Sequence, residues 1–236
     1  MRLFQRIFFA ALLSGLVAGI GMSALQHWRV APLILEAEIY ENATAHVHDA
    51  AVPTGPVHDE DAWAPQDGTE RIFYTVLANL LAAIGFALLL AAISVLSGIE
   101  ISAANGVIWG LAGFAVFQLA PAFGLPPELP GMPTADLVAR QTWWWGCALA
   151  TATAIFGIAR FRSWPAVAIG VVLILLPHVI GAPELVGEHE SSVPAHLATS
   201  FAASTLATGA AFWLTLGPLY GWLNERSARA NVAVPA

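Results

Sequence analysis

Ile72–Leu96 have the sequence IFYTVLANLLAAIGFALLLAAISVL, an apolar run in which Asn79 is the one strongly polar residue. A helix needs about 20 apolar residues to cross the hydrocarbon core of a bilayer. Apolar helices in the core of a soluble protein are usually shorter than this run. The stretch therefore predicts a transmembrane helix and places the chain among membrane proteins.

Five further stretches are similar in composition, although some of them are shorter. In chain order the six predicted spans are Leu3–Leu25, Ile72–Leu96, Ala103–Leu119, Thr142–Ile158, Pro165–Ile180 and Leu197–Leu219. Only a short arginine-containing turn separates the fourth span from the fifth, which predicts a tight helical hairpin. The sequence thus predicts an all-α membrane protein, a polytopic bundle of about six transmembrane helices that forms a single domain over residues 1–236.

The composition supports this class and excludes others. Hydrophobic residues make up 58% of the chain and charged residues 11%, whereas soluble domains contain about 25% charged residues. The net charge of -7 argues against nucleic acid as a partner. Cys147 is the single cysteine, so an internal disulfide and a cysteine-rich metal site are both excluded. The lipid bilayer is the partner that the composition predicts.

Charged residues sort between the two sides that six spans define. With the N-terminus inside, six arginines lie on the cytoplasmic side and three on the other, as the positive-inside rule expects. The six are Arg2, Arg6, Arg160, Arg162, Arg226 and Arg229, and the three are Arg29, Arg71 and Arg140. Of the acidic residues, only Glu100 and Glu225 then lie inside. We therefore predict a multi-pass protein of a bacterial inner membrane with both termini in the cytoplasm.

The first span has some features of a signal peptide, since Arg2 and Arg6 precede an apolar stretch that ends near Met22–Ala24. Cleavage at that point would leave five spans. The apolar run is longer than that of a usual signal peptide, and Gly15 and Gly19 have the spacing that lets helices approach closely in lipid. The same spacing recurs at Gly106 and Gly110 and at Gly217 and Gly221. We therefore favour six spans over five.

The one long polar segment is an acidic, histidine-containing loop at residues 27–71, predicted to be periplasmic. Its prolines Pro53, Pro56 and Pro65 disfavour helix. In an extended chain His46 and His48 point to the same side, and both imidazoles can bind one divalent metal ion. A flexible acidic linker that happens to contain histidines is the alternative. The sequence leaves both interpretations open.

Carboxylates follow the first span directly, in the segment PLILEAEIYE at residues 32–41. If this segment is extended, Glu36 and Glu38 share a face. If it is helical, Glu38 and Glu41 share a face instead. Apolar neighbours make these charges costly unless a cation compensates them. Either a metal ion or one of the arginines Arg29 and Arg71 can supply the compensating charge.

A second polar cluster begins with His178 near the outer end of the fifth span. An ionisable residue at membrane depth is by default a functional candidate. We predict that Glu36, Glu38 and His178 converge at the outer mouth and bind a divalent ion. The residues on the same side that can assist are Glu128, Glu184 and His196. The alternative is structural: the two glutamates pair with arginines, and His178 caps a helix end.

No motif in the sequence indicates an enzyme. The chain has no glycine-rich phosphate loop, no H-E-x-x-H pair and no nucleophile elbow, so nothing in it points to ATP hydrolysis. We expect no permanently bound cofactor. The spans contain few polar groups that can line a pathway, chiefly Asn79, Asn105, Gln118 and Gln141.

Several segments resemble those of a known family, the proposed cobalt-transporter membrane subunit CbtA. Besides the arginine-led first span with Gly15 and Gly19, these segments are LQ at 25–26, PLILEAE at 32–38 with YE at 40–41, PPELPG at 126–131, RQTWW at 140–144, and PH at 177–178 through GAP at 181–183. They occur in order and the resemblance covers nearly the whole chain. The segments LEAE and PPELPG are the most specific.

The resemblance implies a subunit of a cobalt uptake system, paired with a small one-span subunit that carries histidines (CbtB-like). It implies about five spans, where the sequence itself predicts six, and it brings no established site residues. A homo-oligomer is a further option. The metal candidates therefore remain those chosen from the residues themselves: Glu36, Glu38, His178, Glu184, His196, His46 and His48.

Two functions compete on this basis. The leading one is a membrane subunit that admits divalent cobalt, or nickel, which accepts the same nitrogen and oxygen ligands. Carboxylates and histidines at the outer mouth would capture the ion, and the membrane potential would drive it inward. The alternative is a non-transporting scaffold, assembly or metal-buffering protein of the inner membrane. The scarcity of polar residues in the spans favours a pathway that is shared with a partner.

Overall fold

The computed structural model of the chain describes residues 2–48, 65–185 and 191–232, and it is all-α within these ranges. Two π-helical segments, Gln26–Val30 and Ala115–Leu119, each join two α-helices into one continuous rod. The described chain therefore forms six helical rods. The helices are α1 (Arg2–Leu25), α2 (Ala31–His48), α3 (Thr69–Ser97), α4 (Gly106–Phe114), α5 (Ala120–Ala122), α6 (Leu137–Phe161), α7 (Trp164–Ile180) and α8 (Ala195–Val232).

Helix ends follow local sequence rules. α6 begins after Asp136, whose side chain accepts a hydrogen bond of 2.9 Å from the N–H of Ala139. α3 ends before Gly98, whose φ of 70° lies in the left-handed region that glycine adopts with little strain. α6 ends before Arg162, and α7 begins two residues later with Pro165 in its first turn. α6 and α7 pack against each other, which confirms the predicted hairpin.

A proline follows each of the two π-helical segments, although Pro177 and Pro218 lie within α-helices that have no π segment. Pro32 and Pro121 each follow the end of a π segment by two residues. In an α-helix, proline has no N–H to donate, and its ring clashes with the carbonyl four residues earlier. Those carbonyls belong to Trp28 and Phe117, each the central residue of its π segment. Local widening of the helix relieves the clash and keeps the rod continuous. π segments of this kind are frequent at functional sites.

Small residues let the helices of the bundle core approach closely. A Cβ added at Gly15 of α1 would lie 2.7 Å from the Cα of Ile84 in α3. A Cβ at Gly217 of α8 would lie 2.3 Å from the carbonyl oxygen of Gly106 and 2.6 Å from the nitrogen of Gly110 in α4. These distances are the close backbone contacts that the small-residue spacing permits. Because α1 packs on both α3 and α8, it is an integral part of the bundle.

The predicted loop at residues 27–71 begins as a helix. α1, the first π segment and α2 form one rod that is about 70 Å long at 1.5 Å per residue, more than twice the hydrocarbon thickness of about 30 Å. Its second half therefore extends beyond the span. Ala37 of α2 is fully buried. The apolar cluster to which Ala37 belongs also contains Val30, Leu129, Val193, Leu197 and Phe201. The sequence left residues 32–41 open between helix and extended chain, and they are helical; Pro53 and Pro56, which disfavour helix, lie outside the described residues.

The start of α1 and the end of α8 lie at the same end of the bundle, which we name the terminal end. Arg6 near the start of α1 forms an ion pair of 3.4 Å with Glu100, just after α3. Asn224 near the end of α8 donates a hydrogen bond of 3.1 Å to the carbonyl of Ile101. The opposite end, where α3, α6 and α8 begin, we name the acidic end.

Three of the rods are long and apolar enough to cross a membrane, namely Phe4–Glu41, Thr69–Ser97 and Ala195–Arg229. Gly106–Ala122 and Trp164–Ile180 are apolar but shorter, at about 25 Å each. α6 has 25 residues and is less uniformly apolar. The predicted all-α, polytopic membrane architecture is confirmed.

The membrane side that each end faces is a prediction from the arginines, and it places the acidic end in the periplasm. Thr69 at the start of α3 and Ser163 between α6 and α7 are exposed and lie at opposite ends. In a Cys147→Ser background, we expect a membrane-impermeant maleimide to label Thr69→Cys in intact cells and Ser163→Cys only after permeabilisation. Labelling of Ser163→Cys alone in intact cells would show the reverse orientation.

Candidate functional site

Acidic residues gather at one end of the bundle. Of the ten that the structure describes, eight lie at the acidic end and two, Glu100 and Glu225, lie at the terminal end. The eight are Glu36, Glu38, Glu41, Asp67, Glu70, Glu128, Asp136 and Glu184. A field of this sign raises the local concentration of cations. A site that collects a cation is therefore to be sought at the acidic end.

Glu38 forms an ion pair with Arg71. Its carboxylate accepts hydrogen bonds of 2.5 and 3.2 Å from the guanidinium at the start of α3. Arg71 also donates to Asp67 at 3.1 Å. Glu36 is exposed, and residues two apart on a helix do not share a face. Arg71 thus compensates the negative charge of Glu38, as the structural alternative predicts for this residue.

His178 lies in the last turn of α7 and packs within the α6–α7 hairpin. Its Nε2 is 3.9 Å from the Sγ of the buried Cys147. Its ring meets those of Trp143 and Phe123 edge-on, with centroid distances of 5.7 and 6.2 Å. The indole N–H of Trp143 donates to the carbonyl of Pro177 at 3.1 Å and so links α6 to α7. The contacts of His178 are therefore aromatic rings and a thiol.

The other predicted metal candidates lie elsewhere. Glu184 and His196 are exposed, the first after α7 and the second in the first turn of α8. His46 and His48 lie in the helical end of α2, not in extended chain, and their side chains are outside the described part. Among the described histidines, cysteines and acids, no group of three or more is placed to hold a metal ion. The structure thus does not bring the described candidates, Glu36 and Glu38 included, into one coordination shell.

A cleft of about 420 Å³ lies between the end of the α4–α5 rod, the first turns of α6, and α8. Aromatic and proline side chains form much of its wall. Its polar lining residues are Gln118, Glu128, Arg140, Gln141 and Thr205. One water molecule takes up about 30 Å³ in the liquid, so the cleft has room for an ion together with several waters.

Two polar atoms of residues that line the cleft are buried and have no hydrogen-bond partner in the described chain, Gln118 Oε1 and Thr205 Oγ1. Gln118 belongs to the second π segment, and its amide lies directly against Gly209 of α8. Thr205 precedes Gly209 by one turn on the same face of α8. It lies ten residues after Ala195, about 15 Å along the helix. Buried oxygens without a partner are costly, and neither of these two is open to the cleft.

An ion pair stands nearer the acidic end of the cleft. Arg140 in the first turn of α6 donates a hydrogen bond to the carboxylate of Glu128. Their side chains are 25% and 20% exposed, so both charges are largely removed from water. Leu129, the neighbour of Glu128, is buried in the apolar cluster with α2. The loop that contains Glu128 is therefore anchored on both sides of the carboxylate.

The structure divides the polar residues that the sequence offered as pathway candidates. Asn79 hydrogen-bonds to two side chains of the α1 rod at 2.6 and 3.2 Å, which satisfies its amide. Asn105 bonds to backbone groups of the α3–α4 connection. These two are structural, whereas Gln118 and Gln141 line the cleft.

The sequence did not predict the cleft. It also did not predict that Arg140 and Thr205 belong to a site. A signal was present, since the PPELPG and RQTWW segments supply Glu128, Arg140 and Gln141 to one wall. The sequence made Glu128 a candidate for the ion site and Gln141 a candidate for the pathway, but it did not predict that the two segments meet. Nothing in the sequence indicated that Thr205, far along the chain, faces the same space.

A family model, CbtA, described as a probable cobalt transporter subunit, matches residues 4–225. No curated protein and no solved structure matches the chain. The matched range includes residues of every helix and every wall of the cleft. The description is that of a transporter subunit, not of an enzyme, and a subunit implies a partner. This chain belongs to the CbtA family of probable cobalt transporter subunits.

Proposed function

We propose that this chain is the membrane subunit of a bacterial system that takes up divalent cobalt, with nickel as a competing substrate. The observation that carries the proposal is the family match over residues 4–225. The charge distribution supports it, because a cation is drawn to the end of the bundle where the acids gather and the cleft lies. In this proposal the acidic end faces the periplasm and the protein resides in the inner membrane.

Capture of the ion takes place at the acidic end. Carboxylate and imidazole groups are the oxygen and nitrogen donors that Co²⁺ and Ni²⁺ accept. The capture set is Glu36, Glu38, His178, Glu184, His196, His46 and His48. Because its described members do not form one shell, each makes a weak and exchanging contact that raises the local ion concentration. Capture is distributed, and no single member is essential.

The membrane potential supplies the energy. Moving one charge across 100 mV is worth about 2.3 kcal/mol, and a divalent ion gains about twice that. The pathway is completed by the small one-span, histidine-bearing partner (CbtB-like), because few polar side chains of this chain face a space inside the bundle. Cobalt passes through as the substrate and is not a resident cofactor.

Radioactive cobalt uptake tests the proposal. We expect cells that express this chain together with the small subunit to accumulate cobalt, with competition by nickel and loss of uptake when the membrane potential is collapsed. The chain alone should be less active. If the chain is abundant in the membrane and cobalt accumulates neither with the small subunit nor without it, the scaffold or metal-buffering alternative is favoured.

Distributed capture makes a separate prediction for the exposed residues of the set. His196→Gln alone should raise the half-saturating cobalt concentration about twofold and leave the maximal rate unchanged, because it removes one of several weak contacts. Glu36→Gln and Glu184→Gln should add to that effect when combined with it. Uptake measured against cobalt concentration gives both quantities. Complete loss of uptake at all concentrations in the single variant would contradict distributed capture.

A further inference from the structure

We propose that the turn between α6 and α7 binds an anionic phospholipid, with its phosphate at Arg160 and Arg162 and an acyl chain in the groove between the two helices. This turn lies at the terminal end of the bundle. Such a site is independent of ion capture, which takes place at the acidic end. Its ligand is a phospholipid whose headgroup carries a net negative charge.

The groove between α6 and α7, which we name the hairpin groove, has a volume of about 370 Å³. Small residues leave it open, and a Cβ added at Gly157 would meet nothing within 4 Å. Along α7 it extends from Ser163 to Leu173, ten residues or about 15 Å. Its lining includes Thr153, Gly157, Phe161, Ser163, Ala166 and Leu173.

The length of the hairpin groove favours a lipid over a partner helix. The hydrocarbon core of a bilayer is about 30 Å thick, so a groove of about 15 Å matches the acyl chains of one leaflet. A membrane-spanning partner helix would be about twice as long. Towards the acidic end the hairpin is closed, because the indole of Trp143 bonds to the carbonyl of Pro177 at 3.1 Å and packs edge-on against the ring of His178.

Two arginines flank the end of the hairpin groove. Arg160 and Arg162 lie on either side of Phe161, a lining residue. Both are exposed, and neither has an ion-pair or ring partner in the described part of the chain. The sequence has no acidic residue between Asp136 and Glu184, so the hairpin itself supplies none. The other arginines with described side chains each contact an acid or an aromatic ring, namely Arg6, Arg29, Arg71, Arg140, Arg226 and Arg229.

The start of α7 adds to the attraction for a phosphate. Ser163 precedes the helix, and its side chain makes no capping hydrogen bond. The first turn of a helix carries free N–H groups and a partial positive charge, which favour a phosphate. Trp164 is 81% exposed, and exposed tryptophans are typical of the headgroup level of a bilayer. Arg162 has a φ of 45°, a conformation in which glycine is usual, and a ligand for its side chain explains why arginine stands there.

Lipid binding by the purified, full-length chain in detergent tests the charged part of the site. The probe is phosphatidylglycerol, titrated and counted by native mass spectrometry, with phosphatidylcholine as the zwitterionic comparison. Arg160→Gln with Arg162→Gln should weaken phosphatidylglycerol binding about 30-fold, since each arginine near a membrane surface contributes about fivefold. Arg226→Gln with Arg229→Gln is the matched control, because it removes two positive charges at the same end. The control should bind phosphatidylglycerol as the unaltered chain does.

Gly157→Leu tests the hairpin groove and keeps both arginines. The leucine enters open space, so the melting temperature should not fall. Binding of phosphatidylglycerol should weaken about tenfold, because the leucine takes the place of about two methylene groups of the acyl chain. Glycerol phosphate, the soluble part of the headgroup, should not displace the lipid. If it does, or if Gly157→Leu binds the lipid normally, the site binds phosphate alone and the lipid assignment is overturned.

Three other results would overturn the proposal. Normal binding by the Arg160 and Arg162 variant would show that these arginines do not hold the headgroup. An equal loss in the Arg226 and Arg229 control would show a general attraction of charge. Thr153 is an exposed lining residue, and disulfide-linked dimers of Thr153→Cys in a Cys147→Ser background would place a second copy of the chain in the groove.

Discussion

Gly217→Leu is expected to remove most of the folded protein from the membrane. A side chain at Gly217 would meet the backbone of Gly106 at 2.3 Å and of Gly110 at 2.6 Å, so α4 and α8 would have to separate. Overpacking of a tight core typically costs about 1–3 kcal/mol and sometimes more. Backbone atoms cannot move away by rotation about a single bond as a side chain can. We therefore expect a cost at the upper end of this range. Yield and melting temperature of a detergent-solubilised fluorescent fusion give the measurement.

Gly85→Leu is the matched control for this experiment. Gly85 lies within the membrane-spanning α3, and a Cβ there meets nothing within 4 Å. The leucine would add apolar surface that faces lipid, and it also has a better helix propensity than glycine. Yield and melting temperature should equal or exceed those of the unaltered protein. Equal stability of both variants would show that α4 and α8 are not held together by their glycines.

Glu128→Lys is the substitution with the largest expected effect on transport. It places a second cation beside Arg140 at the approach to the cleft, where both side chains are largely buried. Two like charges 4 Å apart repel by about 4 kcal/mol at an effective dielectric constant near 20. We expect cobalt uptake to fall more than about tenfold, because an incoming divalent ion meets the same repulsion. Uptake at the unaltered rate in this variant would show that the ion does not pass the pair.

The reversed pair separates structure from transport. In Glu128→Lys with Arg140→Glu, the ion pair is restored and one carboxylate still lines the cleft. Membrane abundance should return to that of the unaltered protein, and part of the uptake should return with it. Arg229, paired with Glu225 at the terminal end, offers a control site. Arg229→Gln removes this exposed ion pair and leaves the hydrogen bond from the N–H of Ala103 to Glu225, so it should leave uptake unchanged.

The class of the protein, its six helical rods and the α6–α7 hairpin could be predicted from the sequence. Each of these depends on local properties, namely the length of an apolar run, its interruption by charged residues, and the helix-ending residues around Arg162 and Pro165. The small-residue spacings also predicted close packing, because glycine removes the only obstacle to the approach of two backbones in lipid. Only their partners were unknown, and the structure pairs Gly217 with the glycines of α4.

Prediction of the site was weaker, because the environment of a polar side chain is decided by residues that are distant in the chain. The carboxylate of Glu38 could have bound a metal ion or an arginine, and the fold places Arg71 beside it. The sequence left residues 32–41 open between helix and extended chain, and they are helical, with Ala37 buried in the cluster that contains Leu129, Val193 and residues of α8. Local rules alone do not decide between these alternatives.

The membrane class, the helical spans and the unequal distribution of charge along the chain thus follow from the sequence alone. That Gln118, Glu128, Arg140 and Thr205 line one cleft follows only from the packed fold. Hydropathy acts within each segment and specifies which stretches enter the membrane. Contacts between side chains such as Gln118 and the open face at Gly209 specify which of those stretches meet, and they exist only after the helices have packed.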